Sequence, residues 1–193
     1  MQLPPRELIQ RYAGRGPRYT SYPPVPVWTE PVGPAQYAWA LADADSGTSA
    51  ALYVHLPFCA VRCWYCACNV TVQIRRDPVD HYLDHMEEEA RLTTVFSGGK
   101  RKVSSLHLGG GTPNFLTRDQ LERLIGILET HFEIPPGAER AIEIDSRMAK
   151  VGDMTHLVSE LGFGRISFGV QDLDLTVGNS IGRIMDPGHL VNL

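Results

Sequence analysis

From residue 51 onward, apolar runs of strand length alternate with amphipathic stretches of helix length, and that alternation limits the folds open to the chain. "ALYVHLPF" (51–58) mixes β-branched, aromatic and aliphatic residues and reads as a buried strand. "PVDHYLDHMEEEARLTTVF" (78–96) has Val79, Tyr82, Leu83, Met86 and Ala90 at helical spacing, with a proline suited to the first turn. "KVSSLHLGGG" (102–111) reads as a second strand ending in glycines, and "TRDQLERLIGILETHF" (117–132) as a second helix with Thr117 as its N-cap. "RAIEID" (140–145), "GDMTHLVSELGF" (152–163) and "RISFGVQD" (165–172) continue as strand, helix and strand. Parallel strands need long, usually helical crossovers, so the pattern predicts an α/β fold with about four parallel strands.

Such folds carry their chemistry at the C-terminal ends of the strands. The polar and glycine-rich features fall there: a cysteine run after the first strand, "GGGTP" after the second, Glu143 and Asp145 on the third, Gln171 and Asp172 at the fourth. All four cysteines, Cys59, Cys63, Cys66 and Cys68, sit within "FCAVRCWYCAC". Intervals this short do not easily satisfy disulfide geometry and would close almost no loop. Structural zinc usually draws on two separate C-x-x-C knuckles, and here there is one. An iron–sulfur cluster, held by thiolates from short runs, fits better, with zinc the alternative. The spacing "CAVRCWYC" suggests three ligands and an open fourth iron. Cys68, separated from Cys66 by a single residue, is awkward for joint chelation and is read as a non-ligand.

Before the alternating region lies a proline-rich stretch, "RYTSYPPVPVWTEPVGP", read as irregular, then a short helix from about Ala35 to Ala44. The expected organisation is an N-terminal extension over residues 1–46 and one main domain over 47–193. A net charge of −4 gives no electrostatic reason to expect nucleic acid or an anionic membrane as partner. No apolar run is long enough to span a bilayer, and the N-terminus lacks the apolar core of a secretory signal. A reducing cytoplasm is then the expected compartment, where clustered thiols are more often metal ligands than disulfides. His81 and His85 lie one helical turn apart but off the apolar face and are expected to be exposed. His55 and His107, in strands, read as satisfied core residues.

"CAVRCWYC" resembles the cluster motif of radical S-adenosylmethionine (SAM) enzymes. The further cysteine in "YCAC", the preceding "YVHLPF" and the N-terminal "RGPRYTSYP" narrow the resemblance to the oxygen-independent coproporphyrinogen III oxidase (dehydrogenase) family of haem biosynthesis. "LHLGGGTPNFL", "IEID" and "RISFGVQD" follow in that family's order, and the match runs from about Gly14 to Arg183. The resemblance implies the N-terminal part of a TIM-like (β/α) radical SAM barrel. It implies Cys59, Cys63 and Cys66 as ligands of a [4Fe–4S] cluster whose open iron takes SAM. Tyr53 and the backbone at Tyr65 would line that cofactor, Gly110, Gly111 and Thr112 would meet its methionine end, and Glu143, Gln171 and Arg183 would hold ribose and carboxylate. Those residue types suit those tasks: glycine permits close backbone approach, a carboxylate suits ribose hydroxyls, and arginine grips a carboxylate in a fork. In the family, the cluster cleaves SAM reductively, and the deoxyadenosyl radical takes hydrogen from a propionate, which loses carbon dioxide and becomes a vinyl group. An electron donor is implied as partner.

The sequence also departs from that pattern. Ser146 stands where the family usually has proline, and Gly178 and Gly182 should weaken the helix before Arg183, at roughly 1 kcal/mol per helical glycine. The family has further strands and a C-terminal domain beyond the point where this sequence reaches Leu193, so an incomplete barrel with an exposed last strand is expected. Such a chain is expected not to turn over coproporphyrinogen alone, and to meet a complementing C-terminal segment or associate through its sheet edge. A haem-binding relative without oxidase activity and a structural zinc protein are the alternative readings.

Overall fold

The computed structural model describes residues 4–14, 24–29, 32–44 and 47–193. "RGPRYTSYP" (15–23) lies outside them. Residues Met1–Tyr37 and Ala38–Leu193 form two compact units. In the first, helix α1 (Arg6–Tyr12), absent from the sequence reading, precedes a single 3₁₀ turn at Val25–Val27. Helix α2 (Pro34–Asp43) matches the expected short helix to within a residue at each end.

In the second unit, β1 (Ala50–Leu56), β4 (Val103–Gly110), β5 (Glu139–Ile144) and β6 (Arg165–Phe168) form one sheet in the order β1-β4-β5-β6, every neighbouring pair parallel. Helices α3 (Asp77–Phe96), α4 (Arg118–His131) and α5 (Val151–Ser159) are the crossovers. Because side chains alternate along a strand, Val54, Leu56, Leu106, Leu108, Ile142 and Ile144 share one face. They are buried in one core with Leu83, Leu124, Leu128 and Leu157 of the crossover helices. The opposite face carries Tyr53, His55, His107 and Glu143, all partly or fully exposed. His55 and His107 are therefore hydrogen-bonded, as expected, but on the open face rather than in the core.

Local sequence sets the helix starts. Thr117 accepts from Gln120 N at 3.2 Å while Gln120 Oε1 accepts from Thr117 N at 3.1 Å. This reciprocal cap contributes about 1 kcal/mol and fixes where α4 leaves the "GGGTPNFL" segment. His81 and His85 are exposed on α3.

Three features differ from expectation. The cysteine segment is not a plain loop: β2 (Phe58–Cys59) pairs in parallel with β3 (Thr71–Val72), pinning both ends of the cysteine loop. Strand β6 ends at Phe168, opposite the end of its partner β5 at Ile144 and short of "GVQD", where Gln171 adopts a left-handed backbone with φ 69°. Helix α6 is only Leu175–Ser180. Gly182 lies beyond it with φ 65°, so its conformational freedom ends the helix rather than weakening its interior. Gly178 is inside, where a Cβ would stand 2.9 Å from Arg183 O, so the missing side chain admits the chain carrying Arg183. A further short helix, α7 (Pro187–Val191), follows. β6 is an edge strand with Arg165, Ser167 and Phe168 exposed, while Ile166 still packs on the core.

Candidate functional site

The C-terminal ends of the four strands open onto a cavity of about 340 Å³. Its rim is knitted by backbone hydrogen bonds between segments distant in sequence. Thr71 N donates to Pro57 O at 2.6 Å and Gln73 N to Cys59 O at 2.9 Å, closing the loop that bears the other three cysteines. Gly111 N donates to Leu56 O and Thr112 N to Phe58 O, both at 2.8 Å, which lays the glycine segment against the base of that loop. Only glycine fits this approach: a Cβ on Gly111 would sit 2.7 Å from Phe58 O, and Gly110 has φ 109° with the His55 ring 2.8 Å from its would-be Cβ. On the far side Trp64 N donates to Ile181 O at 3.0 Å, tying the loop to the end of α6.

All four cysteines line the cavity. Cys59 and Cys63 are buried, Cys66 is half-buried and Cys68 exposed, and none forms a disulfide. Gly110, Gly111, Thr112 and Tyr65 line it as well, as do Glu143, Gln171 and Arg183. Of the residues the resemblance assigns to the cluster or SAM, Tyr53 alone stands outside. Its hydroxyl is 3.2 Å from His55 Nδ1, and its ring stacks on His107 with centroids 5.8 Å apart. His107 Nε2 in turn lies 3.1 Å from Glu143 Oε1, so Tyr53 borders the cavity through its neighbours on the open sheet face.

The charged part of the site centres on Asp145, 7% exposed and hydrogen-bonded to two arginines. Arg147 Nη2 donates at 2.6 Å and Arg183 Nη2 at 3.0 Å, and Arg183 also donates to Gly169 O. Burial alone would raise the Asp145 carboxyl, but bonds from Arg147 and the charge of Arg183 outweigh it and hold the group below the usual carboxylate range. Asn114 brackets the Asp145 peptide, donating to its O at 3.0 Å and accepting from its N at 2.9 Å. The same two guanidinium groups reach Cys63 Sγ at 3.6 Å and 3.5 Å. Burial pushes the Cys59 thiol up, opposed by its 3.3 Å contact with the Thr112 hydroxyl, with nearby Cys66 and Cys63 adding to the rise. Sequence reasoning placed Asp145 at the end of the third strand and missed Arg183 as its partner. It also missed Asn114, whose only signal was its place directly after "GGGTP".

The donor set separates the two metal readings. Among the described residues, one group of three His, Cys, Asp or Glu side chains has donor atoms all within 4.8 Å of one another, and it contains no cysteine. No three cysteine sulfurs among the described residues therefore lie within 4.8 Å of one another, whereas the ligands of a single tetrahedral zinc with 2.3 Å bonds stand roughly 3.8 Å apart. A cluster takes each thiolate on a different iron and suits the wider spacing. Positive charge from Arg147 and Arg183 beside Cys63 offsets part of the negative charge such a ligand set carries. The residues present fit an iron–sulfur cluster.

Residues 53–192 match the family model for the Radical SAM superfamily. The oxygen-independent coproporphyrinogen III oxidase of Pseudomonas aeruginosa is 41% identical over 184 residues, 94% of this chain and 40% of that protein. Its namesake in Escherichia coli is 40% identical over 93% of this chain and 38% of its own length. A solved structure of the Escherichia coli coproporphyrinogen III oxidase, described as a radical SAM enzyme, superposes with a TM-score of 0.83 at 34% identity, covering 98% of this chain and 42% of the other. This chain therefore spans about 40% of the length of the relatives it matches. With a family model covering the sheet, the cysteine loop and Arg183, the chain belongs to the Radical SAM superfamily.

Proposed function

We propose that the chain works in the reaction its relatives are named for, the oxygen-independent oxidation of coproporphyrinogen III, and that it does so in the reducing cytoplasm. A [4Fe–4S] cluster and SAM are the cofactors of the superfamily. Together they supply the one-electron cleavage of SAM that makes removal of a propionate hydrogen feasible. The rest falls to this chain's own residues. Cys59, Cys63 and Cys66 hold three irons and leave the fourth free. Gly110, Gly111 and Thr112 present a close, side-chain-poor strand end to the methionine part of SAM. Glu143, at the cavity wall, takes the ribose hydroxyls, while Tyr65 and Gln171 close the sides. Arg183, its orientation fixed by Asp145 and Gly169 O, supplies the cation for the methionine carboxylate. Cys68 is left out of the ligand set. The four unpaired thiols suit a reducing compartment, and among the described residues no helix is long and apolar enough to cross a membrane.

The convergence of the cysteine loop, the glycine strand end and Arg183 on one cavity carries this reading. A chimera tests it: this chain replaces the matching region of the Escherichia coli relative, and the purified protein receives coproporphyrinogen III, SAM and a reductant without oxygen. Protoporphyrinogen is the expected product. A chimera that loads its cluster and cleaves SAM yet leaves coproporphyrinogen untouched would refute the substrate assignment.

A further inference from the structure

Away from the cofactor cavity, one buried imidazole lacks a hydrogen-bond partner. His156, in α5, is 2% exposed, and its Nε2 makes no hydrogen bond. Leaving a buried polar atom unpaired costs roughly 1–3 kcal/mol, so the nitrogen calls for an explanation. Its surroundings are carboxylates. Nε2 lies 3.5 Å from Glu122 Oε1 in α4, and Nδ1 lies 3.1 Å from Glu160 Oε2 at the C-cap of α5. Donor atoms of the three residues all fall within 4.8 Å of one another. None of the three lines the cofactor cavity.

We propose that His156 Nε2 and Glu122 bind a divalent transition-metal ion of the Zn²⁺ class, with Glu160 held on the opposite ring nitrogen, and that the ion clips α5 to α4 in the helical layer outside the sheet. The donor chemistry selects the ion. Imidazole with carboxylate suits zinc, cobalt or nickel, whereas calcium and magnesium take oxygen ligands. The spacing agrees: two ligands of a tetrahedral zinc with bonds of 2.0–2.2 Å stand about 3.4 Å apart, against the 3.5 Å between His156 Nε2 and Glu122 Oε1. Glu160, beside Nδ1, sets the tautomer that turns the Nε2 lone pair toward Glu122, an arrangement usual for metal-bound histidines. With Glu122 53% and Glu160 62% exposed, water reaches the site to complete the coordination, and both carboxylates are free to adjust. The rival occupant is a proton, with a charged imidazole bridging the two carboxylates.

Cobalt(II) distinguishes them. The cluster-loaded protein is stripped with a chelator, dialysed against Co²⁺ and assayed for both metals. One retained cobalt per chain is expected, with Glu122→Gln and His156→Gln each lowering retention at least tenfold and leaving the iron content unchanged. Cobalt should also raise the melting temperature of the wild type and not of Glu122→Gln. Because His156 is buried and its replacement can impair folding, the half-exposed Glu122 carries the test alone if needed. Wild-type protein that retains no cobalt, which leaves the proton as occupant, or retention that survives Glu122→Gln, would overturn the proposal.

Discussion

Replacing Cys63 by serine abolishes cluster reconstitution, while replacing Cys68 by serine leaves it within twofold of wild type. Iron and sulfide retained after anaerobic reconstitution and gel filtration should fall at least tenfold for Cys63→Ser. The reason is positional. Cys63 is 8% exposed, its sulfur faces the cavity, and two guanidinium groups approach it at 3.5 Å and 3.6 Å. A serine hydroxyl at that place is a poor iron ligand, and it leaves the two cations without the charge they face. Cys68 lines the same cavity but is exposed, and a single residue separates it from Cys66. Equal losses for both variants would mean that Cys68 is a ligand and that no iron is left open for SAM.

The second large effect belongs to Asp145. Asp145→Ala should destabilise the fold by about 3–5 kcal/mol, the usual result of removing one partner from a buried ion pair. Arg183 is 6% exposed and would be left with Gly169 O as its remaining strong acceptor. Arg147, less buried, would swing to solvent. Asp145→Asn, which keeps an acceptor, should lose less, and urea denaturation at neutral pH ranks the two. The pH dependence has a definite sign. Because the folded carboxyl titrates below its ordinary value, its contribution is complete above the unfolded pKa of about 3.9 and disappears as pH falls through the lower folded value. A loss under 1 kcal/mol for Asp145→Ala would show that the arginines find other partners.

Where the sequence carries long periodic signals, the architecture was legible in it. The apolar runs of β1, β4 and β5 and the helical spacing of α3 and α4 rest on patterns of six residues or more. The cysteine spacing was legible for a chemical reason, since few roles need three thiols in eight positions. What was not legible lacks local pattern. β2 and β3 are two residues each, too short for any period, and exist because Thr71 and Gln73 find carbonyls on the far side of the loop. β6 ends early at Phe168, with its partner strand, and the left-handed Gln171 beyond it is one no propensity would anticipate. The bond between Asp145 and Arg183 joins residues 38 positions apart. The stacking of Tyr53 on His107 joins residues of neighbouring strands on the open sheet face, which neither strand discloses alone. The pairing of His156 with Glu122 depends on the packing of α5 beside α4, which neither helix discloses alone.

Electron paramagnetic resonance of the reconstituted, reduced protein, recorded with and without SAM, tests the central claim most directly. The proposed site, with Cys59, Cys63 and Cys66 as ligands and one iron open to SAM, predicts a [4Fe–4S] signal whose g-values shift when SAM is added. A cluster signal that SAM leaves unchanged would contradict the account, because the open iron or the site around Gly111 and Arg183 would then not exist.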